Sequence, residues 1–274
     1  MSEHPPVRTV RIGSIDVGSD HVWMIGGPCA VEDRDGLLTI ARSVRASGAD
    51  ALRGGAFKPR TSPRSFQGLG HEGLALLEAA RSETGLPIVT EVLDPRDVED
   101  VAAVADVVQI GARNMANSVL LREVGRAGRP VLLKRGFGAT VDELLHAADY
   151  ILDAGNQDVI LCERGIRSFE TSTRFMLDLG AIPVLRQRTS LPVIVDPSHA
   201  AGDASLVVPL ARAAVAAGAD GIMMEVHHDP SAALSDAQQS LSLAQYEQAV
   251  REIASVASSV GRSLSHLSTA STLA

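Results

Sequence analysis

Four side chains in this 274-residue sequence carry donors that together could hold a transition metal: Cys29, His199, Glu225 and Asp236. A thiolate, an imidazole and two carboxylates suit Mn²⁺, Fe²⁺, Co²⁺ or Zn²⁺ better than Mg²⁺ or Ca²⁺, which prefer shells of oxygen. Their spacing is not diagnostic, because they lie in segments far apart. Two of them also have an ordinary structural reading: a buried cysteine commonly packs in a core, and His199, after Asp-Pro-Ser, stands where a residue could cap a helix. A second set is cationic: Arg53, Lys58, Arg60, Arg113, Lys134 and Arg164 each follow a short apolar run. Any one of them is most simply half of an ion pair with Glu91, Glu163 or Asp196. On one rim, these cations outnumber those carboxylates, and the excess calls for an anionic ligand with more than one phosphate or carboxylate.

The elements that must position these residues recur along the chain. Short apolar runs stand at Val22–Gly26, Ala51–Arg53, Pro87–Glu91, Asp106–Ile110, Val131–Lys134, Val159–Glu163, Val193–Asp196 and Gly221–Glu225. Near-continuous apolar runs of this length are expected of parallel strands covered on both faces. Amphipathic segments lie between them, at Arg34–Ser47, Gly73–Ser82, Asn117–Ala127, Thr140–Asp153, Ser205–Ala217 and Leu243–Ala257. The tripeptide GAD recurs before two of the runs, at Gly48–Asp50 and Gly218–Asp220, where glycine can end a helix and aspartate can begin a turn. Strand–helix units at roughly 30-residue spacing predict a (β/α)₈ TIM barrel, with the active site at the C-terminal strand ends. An open doubly wound sheet also alternates strands and helices but rarely needs so many units. A short hairpin over Thr9–Val17 precedes the first strand. The expected organisation is an N-terminal segment at 1–20, a catalytic barrel at 21–257, and a Ser/Thr-rich disordered tail at 258–274.

Composition narrows the partners. With aromatics at 3%, the core must be built from Ala, Val, Leu and Ile, and base-stacking platforms for nucleic acid are not expected. A formal net charge of −8 disfavours nucleic acid and anionic membranes, so the cationic rim is a local feature. The two cysteines, Cys29 and Cys162, lie far apart in the sequence and resemble neither a disulfide framework nor a paired-Cys zinc motif. No apolar stretch reaches the length of a membrane span, and a cytoplasmic protein is expected.

The strings GPCAVE, GGAFKPRTSP, IGARNM, LLKRG, ILCERG, PVIVDPSH and MMEVHHDP…ALSD resemble the type I 3-deoxy-D-arabino-heptulosonate 7-phosphate (DAHP) synthases, in the compact branch related to the 3-deoxy-D-manno-octulosonate 8-phosphate synthases. The resemblance runs from about Trp23 to Gln248 and includes every strand end. It implies metal-dependent condensation of phosphoenolpyruvate with erythrose 4-phosphate and water, at the entry to aromatic amino acid biosynthesis. It makes Cys29, His199, Glu225 and Asp236 the metal ligands, with Mn²⁺ favoured. Arg113, Lys134 and Arg164 would hold the phosphate and carboxylate of phosphoenolpyruvate, with Arg53 and Lys58 beside them. Arg60 and Thr61 would hold the phosphate of the aldose, and Lys58, Lys134 and Glu91 are the candidates for proton transfer. Cys162, two residues before Arg164, shares its barrel face and is read as packing. A homotetramer or homodimer is implied. The segment KPRTSP together with Cys29 favours the four-carbon sugar over the five-carbon one. HHDP, SHAAGD and Arg64 depart from the family's usual pattern without removing a proposed ligand.

Two other classes compete: a Schiff-base aldolase using Lys134, and a non-catalytic sensor or inactive paralogue. Related enzymes that respond to aromatic amino acids carry an extra N-terminal domain, and residues 1–20 are too few for one. Inhibition by Phe, Tyr and Trp is therefore expected to be weak or absent; dose–response curves that fall steeply at micromolar amino acid would contradict this.

Overall fold

The computed structural model describes residues 7–60 and 62–264. An antiparallel hairpin, β1 (Val10–Ile12) and β2 (Ile15–Val17), comes first. Eight parallel strands follow: β3 (Trp23–Gly27), β4 (Ala51–Arg53), β5 (Ile88–Val92), β6 (Val107–Ile110), β7 (Val131–Lys134), β8 (Val159–Glu163), β9 (Val193–Val195) and β10 (Gly221–Glu225). They close into a barrel, with β10 paired to β3 in the register Gly221 opposite Trp23. The expected TIM barrel and its preceding hairpin are both present.

Around the barrel lie α1 (Arg34–Ala46), α2 (His71–Thr84), α3 (Val98–Val104), α4 (Ser118–Arg126), α5 (Val141–Asp153), α6 (Ala181–Arg188), α8 (Ala204–Ala216) and α9 (Leu243–Ser259), with the short α7 (Pro197–Ala201) between β9 and α8. The starts follow from local chemistry. Thr140 and Glu143 form a reciprocal capping box on α5, as Ser242 and Gln245 do on α9, each satisfying backbone N–H groups that the first turn leaves free. Sequence periodicity missed α3, α6 and α7. The first and last span only seven and five residues, too few to display a helical period. In α6, Pro183 interrupts the pattern, yet it sits in the first turn, where a missing N–H costs nothing.

Strand alternation divides the core in two. One set of side chains points outward to the helices, among them Met24, Leu52, Ile88, Leu133, Leu161 and Met224. The other fills the barrel: Trp23, Ile25, Ala51, Val89, Val107, Leu132, Ile160, Cys162, Ile194 and Met223. Val10, Ile12 and Val17 of the hairpin belong to this inner cluster, so the hairpin plugs the N-terminal mouth of the barrel. Cys162 is a buried packing residue there, as its parity with Arg164 predicted.

The same mouth is closed electrostatically. Met24 N–H donates to Asp50 at 2.8 Å, Ile88 N–H to Asp106 at 2.8 Å and Val193 N–H to Asp220 at 2.8 Å. The aspartate of each GAD thus fastens the start of one strand to its neighbour. Asp220 also accepts from Arg186 at 2.5 Å and Arg262 at 3.3 Å. Arg262 donates in turn to the carbonyls of Ser19 and His21, both at 3.0 Å. The expected disordered tail from residue 258 is therefore displaced: α9 continues to Ser259, and residues 260–264 are tied to the barrel mouth through Arg262 and through Ser263 O, which accepts from Val22 N–H at 2.9 Å. The remainder of that tail, 265–274, lies outside the described residues. Replacing Asp220 with Ala removes the carboxylate that two partly buried guanidiniums share and leaves a strand N–H without its acceptor. Urea denaturation is expected to show a loss of roughly 2–4 kcal/mol, and a loss below about 0.5 kcal/mol would contradict the role given to this residue.

Candidate active site

Barrel parity that places apolar side chains inside at the bottom places polar ones inside at the top. Arg53, Glu91, Gln109, Lys134 and Glu225 each follow an inward apolar residue by two positions, and all are buried. Glu163 and Arg135 have the opposite parity. Arg135 donates to Glu163 at 2.8 Å and to Asp178 at 2.9 Å, while Glu163 also accepts from Gly165 N–H at 2.6 Å. The sequence reading set Glu163 against the cationic rim; the structure turns it outward, where it anchors the loop after β8.

Cys29, His199, Glu225 and Asp236 come together, with one ligand atom from each lying within 4.8 Å of all the others. Four different elements supply them. Cys29 follows β3, where Gly27 has φ +148° and a Cβ would lie 2.0 Å from the Arg53 carbonyl oxygen; only glycine lets β3 pass so close to β4 on its way to Cys29. His199 lies in α7, which Asp196 caps by accepting from His199 N–H at 2.9 Å. The other Asp196 oxygen lies 2.7 Å from His199 Nδ1, which leaves Nε2, 3.2 Å from Glu225 Oε1, facing the group. Asp236 has φ +54°, the one non-glycine positive φ among the described residues. Such a conformation persists only where surroundings hold it. Its Oδ1 accepts from Arg174 at 2.9 Å and its Oδ2 from the Cys29 thiol at 2.9 Å.

These donors fit a divalent cation. Burial, helped by Glu225 and opposed by Lys58 and Arg53, pushes the Cys29 thiol up to about 12; a bound cation is what makes a thiolate stable at such a place. Burial pulls His199 below the usual imidazole range against Asp196 and Glu225, and neutral imidazole is the ligating form. Burial alone would raise Asp236, but His199, Cys29, Arg174 and Lys58 hold it well below the usual carboxylate range. The ligands are also braced. Gln239 donates to Glu225 Oε2 at 2.6 Å, and Arg53 donates to Glu225 Oε1 at 2.5 Å. Lys58 Nζ lies 3.0 Å from Cys29 Sγ.

Beside this group lies a cavity of about 240 Å³. Arg53, Lys58, Arg60, Glu91, Arg113, Lys134 and Arg164 all line it, with His199 and Asp236. The predicted rim is therefore assembled, except that Thr61 lies outside the described residues. Some of its charge is spent internally. Lys134 donates to Asp196 at 2.5 Å, Arg53 is taken by Glu225, and Arg60 donates to the Ser235 hydroxyl. Glu91 accepts from Gln109 at 3.2 Å. Lys134 thus has a carboxylate beside it, the reverse of the apolar or cationic setting that frees a lysine nucleophile. Sequence reasoning missed Arg174, Gln239, Phe137 and Phe175. Gln239 stands three residues after Asp236, a spacing that could have drawn attention to it; Arg174 and Phe175 sit mid-loop, with no local signal.

A profile of the DAHP synthetase I family matches residues 6–260. The chain is 48% identical over 258 residues to phospho-2-dehydro-3-deoxyheptonate aldolase of Thermotoga maritima, across 94% of this chain and 76% of that one. The crystal structure of a Thermotoga maritima DAHP synthase matches with a TM-score of 0.92 at 47% identity, covering 95% of this chain and 76% of that one. A truncated form of the Thermotoga maritima enzyme matches at 0.89 and 43% identity, covering 95% of both chains. A 2-dehydro-3-deoxyphosphooctonate aldolase of Syntrophotalea carbinolica is 34% identical over 267 residues, 90% of this chain and 95% of that one. With a shared barrel and a likeness that runs nearly end to end, the chain belongs to the DAHP synthetase I family.

Proposed function

We propose that the chain is a DAHP synthase, which joins phosphoenolpyruvate to erythrose 4-phosphate with water and releases inorganic phosphate. The observation that carries this reading is the cation-lined cavity lying directly against a metal-capable group. Two phosphorylated substrates bring several negative charges into one small space, and a surplus of guanidinium and ammonium groups answers them.

Cys29, His199, Glu225 and Asp236 would hold one divalent ion, Mn²⁺ by preference among Mn, Fe, Co and Zn. When bound, that ion supplies Lewis-acid polarisation of the aldehyde. Arg113, Lys134 and Arg164 hold the phosphate and carboxylate of phosphoenolpyruvate, with Arg53 and Lys58 beside them. Arg60 and Thr61 take the phosphate of the aldose. C3 of phosphoenolpyruvate then forms a bond to the aldehyde carbon, while water adds at C2. The C2–O bond to phosphate breaks, and the bridging oxygen leaves with the phosphate. Proton transfer to the aldehyde oxygen and from the water falls in this reading to Lys58, Lys134 and Glu91, which all line the cavity. The cations around the cavity stabilise the charge on the departing phosphate.

The direct test follows the ultraviolet absorbance of phosphoenolpyruvate with erythrose 4-phosphate or arabinose 5-phosphate, after EDTA and again after Mn²⁺ is restored. Consumption with the four-carbon sugar, lost on chelation and recovered with Mn²⁺, is expected. Turnover with arabinose 5-phosphate instead would move the chain to the octulosonate reaction, and chelator-insensitive turnover would contradict the metal role.

A further inference from the structure

Most cations around the cavity have a charged or strongly polar partner of their own: Arg53 has Glu225, Lys134 has Asp196, Arg174 has Asp236. Arg164 is held differently. Its guanidinium donates to two backbone carbonyls, Gly165 O and His199 O, each at 3.1 Å, and lies 4.0 Å from the ring centroid of Phe175 and 5.1 Å from that of Phe137. The two rings stack on each other, centroids 5.1 Å apart and planes 14° from parallel. Phe137 also carries Arg113 at 5.3 Å and Arg167 at 5.6 Å from its centroid.

Both rings are fastened by their own backbones. Phe137 O accepts from Arg167 N–H at 2.6 Å, and Phe175 N–H donates to Ala200 O at 2.9 Å. Phe175 O accepts from the Thr173 hydroxyl at 2.9 Å. The loops after β7 and β8 are thereby bound to each other and to α7, which carries His199. The choice of side chain is informative in a sequence with only five phenylalanines, whose core is filled mainly by aliphatic residues. Leucine would serve for packing alone; an aromatic face adds a negative quadrupole that attracts a guanidinium. That attraction comes from a neutral group. A carboxylate in the same place would also hold Arg164, but it would cancel the charge and repel an incoming phosphate.

We propose that Phe137 and Phe175 are positioning residues: they clamp Arg164 so that its guanidinium, held by two ring faces and two backbone carbonyls in place of a direct ion pair, faces the phosphate of phosphoenolpyruvate. The proposal rests on the substrate assignment above. It makes affinity for phosphoenolpyruvate, and not for the aldose, depend on two side chains that carry no charge.

The test uses the Mn²⁺-loaded enzyme with Phe137→Leu, Phe175→Leu, the tyrosine variant at each position, and Arg164→Ala. Calorimetry gives the dissociation constant for phosphoenolpyruvate without aldose, steady-state kinetics gives KM for each substrate, and melting temperature monitors the fold. The leucine variants are expected to bind phosphoenolpyruvate roughly 3- to 30-fold more weakly. KM for erythrose 4-phosphate should stay within about twofold, and the tyrosine variants, which keep the ring face, should restore affinity. Leucine variants that bind within about twofold of wild type, while Arg164→Ala is severely weakened, overturn the clamp alone. Equal losses for both substrates overturn it too, since they mark a general structural defect. Unchanged binding in Arg164→Ala overturns the substrate assignment and the clamp with it.

Discussion

Three acidic groups and an imidazole crowd together at the C-terminal mouth of the barrel, with their ligand atoms within 4.8 Å of one another, and that crowding dictates much of the surrounding structure. Donors of this kind repel one another when ionised and lose hydration when buried, so they persist only if cations or hydrogen-bond donors answer them. The chain provides both. Arg53 and Gln239 take the two oxygens of Glu225, Arg174 takes one oxygen of Asp236, and Lys58 approaches Cys29. Asp196 fixes the tautomer and direction of His199, the outer-shell arrangement that metal-ligating histidines commonly have. The positive φ of Asp236 fits the same logic, since a strained backbone is tolerated where several contacts converge on one carboxylate.

The barrel makes this concentration of charge affordable by separating it from the parts that stabilise the fold. Inward positions near the start of each strand are apolar and sealed by the hairpin, and the strand starts are stitched together by Asp50, Asp106 and Asp220. Two residues farther along the same strands, the same inward direction delivers Arg53, Glu91, Lys134 and Glu225 to the cavity. Stability and chemistry thus draw on one alternating pattern read at two heights. Family membership and the geometry agree here: the segments that resemble DAHP synthases are the strand ends that line the cavity or hold the metal-capable group.

Much of this was legible in the sequence because it depends on short-range rules. The apolar runs gave the strands to within a residue or two, and two-residue parity explains why Lys134 and Cys162 face inward. The same parity, applied one residue on, would have turned Glu163 and Arg135 outward, where they pair with each other. What could not be read depends on contacts between distant loops. Arg174 reaches Asp236 across 62 positions, and Phe175 meets Phe137 only because two loops fold against α7. Nothing in the local pattern around Arg174 marks it as a partner of Asp236. Helices α3 and α7 were hidden by their shortness, and the anchoring of residues 260–264 by Arg262 was masked by a Ser/Thr-rich composition that ordinarily signals a frayed end.

Whether Cys29, His199, Glu225 and Asp236 form one site for a divalent cation can be tested without turnover. Metal-stripped protein is titrated with Co²⁺ while the near-ultraviolet thiolate-to-cobalt charge-transfer band is followed, with Cys29→Ser as the control. The expected result is a band that saturates at one ion per chain and is absent from the serine variant. A folded protein that gives no such band, or a band that survives in Cys29→Ser, would contradict it.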